Sequence, residues 1–188
     1  IVHGAPVDVF AAADVATIQR LAHQGFILPQ SLYRYGEGRL ALVTSPSFPR
    51  PLTSLQELLQ SEVKKIALAN PQHAPYGLAA QEALIKSGLW DKLEDKLVYG
   101  QSIRDALTLV ESGNVEVGLI SHSLVIHGNL PYTLIDSKIH NPIIQSLGIT
   151  TASQHQKEAE KFIQFLRGPE GQQILKKYGF ELPGEAHD

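Results

Sequence analysis

The sequence contains no cysteine, which excludes disulfides, thiolate catalysis and zinc–cysteine centres. That absence is compatible with an oxidising compartment. No apolar run approaches the roughly 18 residues that a membrane-crossing helix needs. Charge is sparse and balanced: 16 Lys and Arg stand against 19 Asp and Glu, a formal net charge of −3, which argues against a nucleic-acid surface. The basic pairs Lys64-Lys65 and Lys176-Lys177 are short and read as solvated helix ends. Catalytic signatures are missing as well. The eight histidines form no H-E-x-x-H or H-x-x-x-H helix, and there is neither a G-x-S-x-G elbow nor a G-x-x-x-x-G-K-[ST] loop. Ser121-His122-Ser123 invites a hydrolase reading. On a strand, however, adjacent residues face opposite ways, so this serine and histidine would not meet as nucleophile and base. No enzyme is expected.

What is present is ordinary globular chemistry, 43% apolar and 19% charged over 188 residues, enough for one large domain or two small lobes. Short apolar runs alternate with helical patterns. Val7–Ala11 reads as a strand, and Asp14 caps a helix to Gln24 with Gly25 past its end. Ser31–Tyr35 reads as a strand broken by Gly36-Glu37-Gly38, and Arg39–Thr44 as another. Thr53-x-x-Gln56 is a capping box opening a helix through Leu58 and Leu59. Leu97–Tyr99, Val115–Ser121, Tyr132–Ile135 and Ile143–Ile149 are further strands, with an irregular stretch beyond His122. Ser102-x-x-Asp105 caps a helix that buries Ile103, Ala106, Leu107 and Val110. Ser153-x-x-Gln156 caps one that buries Ala159, Phe162, Ile163 and Leu166. Gly168-Pro169 precedes a last helix ending at Tyr178-Gly179, and a polar tail runs from Pro183. The alternation predicts an α/β fold, parallel sheet with helices on both faces.

The most informative stretch is Asn70 to Trp90, NPQHAPYGLAAQEALIKSGLW. A polar, proline-punctuated loop follows the apolar run Ile66-Ala67-Leu68-Ala69, and Pro75 suits the first turn of a helix. Gly77 leaves the backbone there uncrowded, so that a ligand could approach closely. Gly88 supplies a left-handed stop. Strand, tight loop and helix N-terminus in that order present unpaired N–H groups to an anion, although an ordinary βα loop has the same form. His73, inside the loop, is either an exposed loop histidine or a pH sensor.

The run P-x-H-x-P-x-G-x-x-A-x-E-A-L followed by G-L-W resembles the molybdate-binding proteins of ABC transporters. GAPVDVFAAAD (Gly4–Asp14), SIRDALTLVESGNVEVGLI (Ser102–Ile120) and KYGF (Lys177–Phe180) match the same family in the same order, over nearly the whole chain. The resemblance implies a two-lobed type II periplasmic-binding-protein-like fold, each lobe a mainly parallel sheet flanked by helices. The implied crossings lie near Arg39–Val43 and Ser121–Val125. The first lobe is then 1–40 plus 122–188, and the second is 41–121. It implies a periplasmic or extracytoplasmic receptor that captures molybdate or tungstate between the lobes, uses no cofactor and delivers its ligand to a membrane ABC permease. The alternative is an enzyme, or the effector-binding domain of an intracellular regulator, sharing the same fold.

The family holds its oxyanion with backbone N–H and hydroxyl groups, which suffice because helix N-termini already carry partial positive charge. The matching positions are Tyr76, Ile103 and Ser121. Tyr76 would offer its N–H and its phenol, unless it is an amphipathic aromatic at a lobe surface. Ile103 would offer its N–H alone. Ser121 stands where many relatives carry tyrosine; it is either a short hydroxyl donor or a strand-end serine bonding its own backbone. The chain starts at Ile1 without an initiator methionine or signal sequence, and the family's opening strand–helix–strand unit has no counterpart. The first lobe is therefore expected to be incomplete. Val7, Val9, Phe10, Ile143 and Leu147 are the expected uncovered surface; the chain would either self-associate through it or be accompanied by the missing segment.

Overall fold

Residues 1–183 are described by the computed structural model, and the tail at 184–188 lies outside them. In chain order the elements are β1 (Val9–Ala12), α1 (Val15–His23), β2 (Tyr33–Gly38), β3 (Leu40–Thr44), β4 (Ile66–Ala69), α2 (Pro75–Lys86), α3 (Trp90–Leu93), β5 (Leu97–Gly100), α4 (Ile103–Glu111), β6 (Val117–Ser121), α5 (His122–Val125), β7 (Tyr132–Leu134), β8 (Ile143–Ile149), α6 (Gln156–Arg167) and α7 (Pro169–Lys177). They form two units. One is Ile1–Gly38 with Ile144–Asp188, and the other is Arg39–Ile143.

The central unit, Arg39–Ile143, is built on a five-stranded sheet in the order β5-β4-β6-β3-β7. β4 runs parallel to both β5 and β6, and β3 is antiparallel to β6 and to β7. Every residue of β3, β4 and β6 is buried. Continuous apolar runs such as Ile-Ala-Leu-Ala are what a strand covered on both faces requires. α4 lays Ala106, Leu107 and Val110 against Ala67, Val43 and Ile120, and each such fully buried leucine or valine contributes about 1.5–3 kcal/mol. Residues 122–143, expected with the first lobe, belong here. Edge strand β7 pairs with β3 at Ala41↔Leu134 and Val43↔Tyr132, and the Ile135 N–H donates to the Leu40 carbonyl at 2.9 Å. The irregular stretch after His122 begins as a single helical turn, α5.

One capping box shifts by a residue. The short 3-10 turn at Leu55–Leu59 is capped by Ser54 and Glu57 rather than Thr53 and Gln56. The Glu57 carboxylate decides this, since it accepts from the Thr53 N–H at 2.6 Å and the Ser54 N–H at 3.1 Å.

The terminal unit carries a three-stranded sheet, β1-β8-β2. β1 and β8 are antiparallel, from Val9↔Ile149 to Ala12↔Ser146, so the parallel arrangement expected throughout does not extend to this pair. α1 starts as expected, with the Asp14 carboxylate accepting from the Thr17 N–H. β2 continues through Gly36-Glu37-Gly38, where a break was expected. The reason is pairing: Glu37 and Glu181 exchange backbone hydrogen bonds at 2.7 and 2.9 Å. α6 is capped at His155, not Ser153. The Ser153 hydroxyl instead donates to Asp8 at 2.7 Å and accepts from the His155 N–H at 3.1 Å. Ala159 and Ile163 pack on Leu147 and Ile149, but Phe162 is 46% exposed, so it faces away from that core. The same packing buries Leu147, and Ile143 is buried too, contrary to the expected uncovered surface. The exposed apolar side chains of this unit include Val7, as expected, together with Phe162, Phe165, Ile174 and Tyr178.

Candidate functional site

Three neighbouring parallel strands end on one edge of the central sheet, and each expected donor follows one of them. β4 sits between β5 and β6, with Ala69 opposite Gly100 and Ala67 opposite Gly118. Beyond β4 comes the first turn of α2 with Tyr76; beyond β5 comes the first turn of α4 with Ile103; β6 ends on Ser121. Adjacent strands are about 4.8 Å apart, so the three positions span a sheet edge roughly 10 Å wide.

At the middle strand, the loop closes on itself before α2 begins. The Asn70 N–H donates to the Gly100 carbonyl at 3.0 Å, and the Asn70 carbonyl accepts from His73 and Ala74. The Asn70 side chain accepts from the Gln72 N–H at 2.9 Å, an Asx turn. α2 then opens on Ala74, which offers no side-chain cap, with Pro75 in the first turn. An alanine cap leaves the N-terminal donors of a helix to other partners. Gly77 serves a different purpose from the one expected. A Cβ there would run into the Ala69 carbonyl and the backbone of Asn70, so the missing side chain lets helix meet strand rather than ligand meet backbone. Tyr76 is only 6% exposed. His73 is exposed.

At β5 the cap is conventional. The Ser102 hydroxyl accepts from the Asp105 N–H at 3.1 Å, and Ile103 is the first helical residue, its side chain packed on the α4 core cluster. Gly100 lets the helix seat closely, since a Cβ there would lie 2.6 Å from the Ala106 nitrogen.

At β6, Ser121 is 2% exposed and pairs with Leu40. Its hydroxyl oxygen lies 2.8 Å from that of Ser123, a partner that sequence reasoning missed. The signal was present as the i, i+2 spacing of two serines. His122 follows, with Nε2 3.2 Å from the Tyr132 hydroxyl and the two rings 5.1 Å apart. Among the described residues no group of three His, Asp or Glu side chains is placed to hold a metal ion. Nor is any helix there long and apolar enough to cross a membrane.

The central sheet thus ends, at three adjacent parallel strands, in two helix N-termini and a serine hydroxyl. The chain belongs to the bacterial extracellular solute-binding protein family, whose profile matches residues 1–181. It is 32% identical over 182 residues to the molybdate-binding protein ModA of Rhodobacter capsulatus, covering 96% of this chain and 71% of that one. It is 34% identical over 179 residues to a putative ABC transporter substrate-binding lipoprotein of Bacillus subtilis, YvgL, covering 94% and 68%. Among solved structures, the Azotobacter vinelandii periplasmic molybdate-binding protein superposes with a TM-score of 0.89 at 32% identity, over 97% of this chain and 81% of that one. These relatives bear out the family and fold expected from the sequence. They do not favour the enzyme or regulator alternative.

Proposed function

We propose that this chain is an extracytoplasmic receptor for a tetrahedral oxyanion, molybdate or tungstate, which it delivers to an ABC permease. The observation that supports this reading is that Tyr76, Ile103 and Ser121 each stand at or just beyond the end of one of three adjacent parallel strands of the central sheet. The molybdate-binding relatives at 32% identity support the same reading. A fully deprotonated oxyanion accepts hydrogen bonds and donates none, so it selects a site made of donors. In this reading the Tyr76 and Ile103 N–H groups act from the positive ends of α2 and α4. The phenol of Tyr76 and the hydroxyl of Ser121 complete the set from this unit. No cofactor takes part, and the ion leaves chemically unchanged.

Selectivity in such a site rests on size and protonation. Molybdate and tungstate share charge and nearly share radius, sulfate is smaller, and phosphate carries a proton at neutral pH that donor-only surroundings do not satisfy. Isothermal titration calorimetry with the four oxyanions tests the proposal. Molybdate and tungstate should bind far more tightly than sulfate and phosphate. Equal or tighter sulfate binding would remove the molybdate assignment, and no heat with any of them would remove the receptor assignment.

A further inference from the structure

We infer that Ser123 is a positioning residue that sets the direction of the Ser121 hydroxyl, turning it into a donor for the bound oxyanion. The inference rests on the proposed role of Ser121. Ser121 occupies the N-cap of the single-turn helix α5, yet makes no side-chain cap bond. A serine in that position ordinarily turns its oxygen to the N–H groups of the following turn. Here its oxygen is 2.8 Å from the Ser123 hydroxyl, and Ser121 is 2% exposed.

Two hydroxyls at that distance share one of their two protons along the line between the oxygens; either can be the donor. If Ser121 donates to Ser123, its oxygen turns only lone pairs to any third group, and these repel an oxyanion. If Ser123 donates to Ser121, the Ser121 proton is released for a third group. An acceptor-only dianion therefore selects the second arrangement. In that arrangement each hydroxyl polarises the next, so the bond from Ser121 to the anion is stronger than a lone serine would make. Because the pair can also reverse, Ser121 is a weaker discriminator than a fixed backbone N–H; once the anion has selected the second arrangement, the bond from Ser123 holds the Ser121 proton toward it.

The test is a double-mutant cycle on the full chain, read as the molybdate Kd by calorimetry, with circular dichroism as the fold check. Ser123→Ala should weaken binding roughly three- to tenfold, the equivalent of one lost hydrogen bond. Ser123→Thr, which keeps the hydroxyl, should bind as the unsubstituted protein does. In a Ser121→Ala background Ser123→Ala should have no further effect. An unchanged Kd for Ser121→Ala would overturn the role of Ser121 and this inference with it. A weakened Ser121→Ala beside an unaffected Ser123→Ala, or losses that simply add, would overturn the inference alone. A Ser123→Thr protein as weak as Ser123→Ala would also overturn it.

Discussion

The carbonyl oxygen of Ala69 fills the space that a Cβ on Gly77 would need. The last residue of β4 and the third residue of α2 are thus in backbone contact, and this contact sets where the α2 N-terminus lies. Tyr76, one residue earlier, inherits its position from it.

Gly77→Ala should therefore be costly although alanine is the better helix former. The neighbour is backbone and cannot swing aside, so a loss of about 2 kcal/mol or more is expected. Urea denaturation checks it, and a change below about 0.5 kcal/mol, the size of an ordinary surface substitution, would show that the contact relaxes freely.

The Ile103 N–H can be removed without breaking the helix. Ile103 is the first residue of α4, where proline is tolerated, and Ser102 before it is already extended at φ −138°, ψ 168°. Ile103→Pro should weaken molybdate binding about tenfold, the worth of one charge-assisted hydrogen bond. The lost apolar side chain should lower stability by about 1–2 kcal/mol. Ile103→Val keeps the N–H and should bind as the unsubstituted protein does. Equal Kd values for the proline and valine variants would take Ile103 out of the site.

Tyr76→Phe separates the phenol from the backbone N–H. With the phenol as a donor to the oxyanion, the substitution should weaken molybdate binding about tenfold while the fold persists. An unchanged Kd in a folded protein would leave the N–H as the only contribution of Tyr76.

Acid should release the Thr53–Glu57 turn. Hydrogen bonds from the Thr53 backbone, first, and then from Arg50 hold the Glu57 carboxyl at about 2, below its ordinary 4.5. A carboxylate lowered by folding stabilises the native state above its unfolded pKa, and that contribution disappears as pH falls through the folded value. The stability difference between the unsubstituted protein and Glu57→Gln should thus be constant above about pH 5 and shrink between 4.5 and 2. Thermal melts of the two proteins across that range measure it, and a difference that does not change with pH would assign the turn to geometry alone.

Much of this protein is determined locally and was legible residue by residue. Ile66-Ala67-Leu68-Ala69 is a strand because four buried apolar residues in a row suit a sheet covered on both faces. Asp14 and Ser102 cap their helices because their short side chains reach the orphan N–H groups one turn on. The places of Tyr76 and Ile103 in the first turns of their helices follow from Pro75 and Ser102 in the same way. Tertiary structure decided the rest, wherever the path of the folded chain outweighed a local preference. Glu181 keeps Gly36-Glu37-Gly38 in a strand by exchanging two backbone hydrogen bonds with Glu37. β7 joins the central sheet because β3 offers it an open edge. Gly77 is spent on Ala69, and Ser123 meets Ser121 only because the chain turns from strand to helix between them. A sequence states which hydrogen-bonding groups each residue carries; which of them are already taken depends on what the folded chain brings alongside.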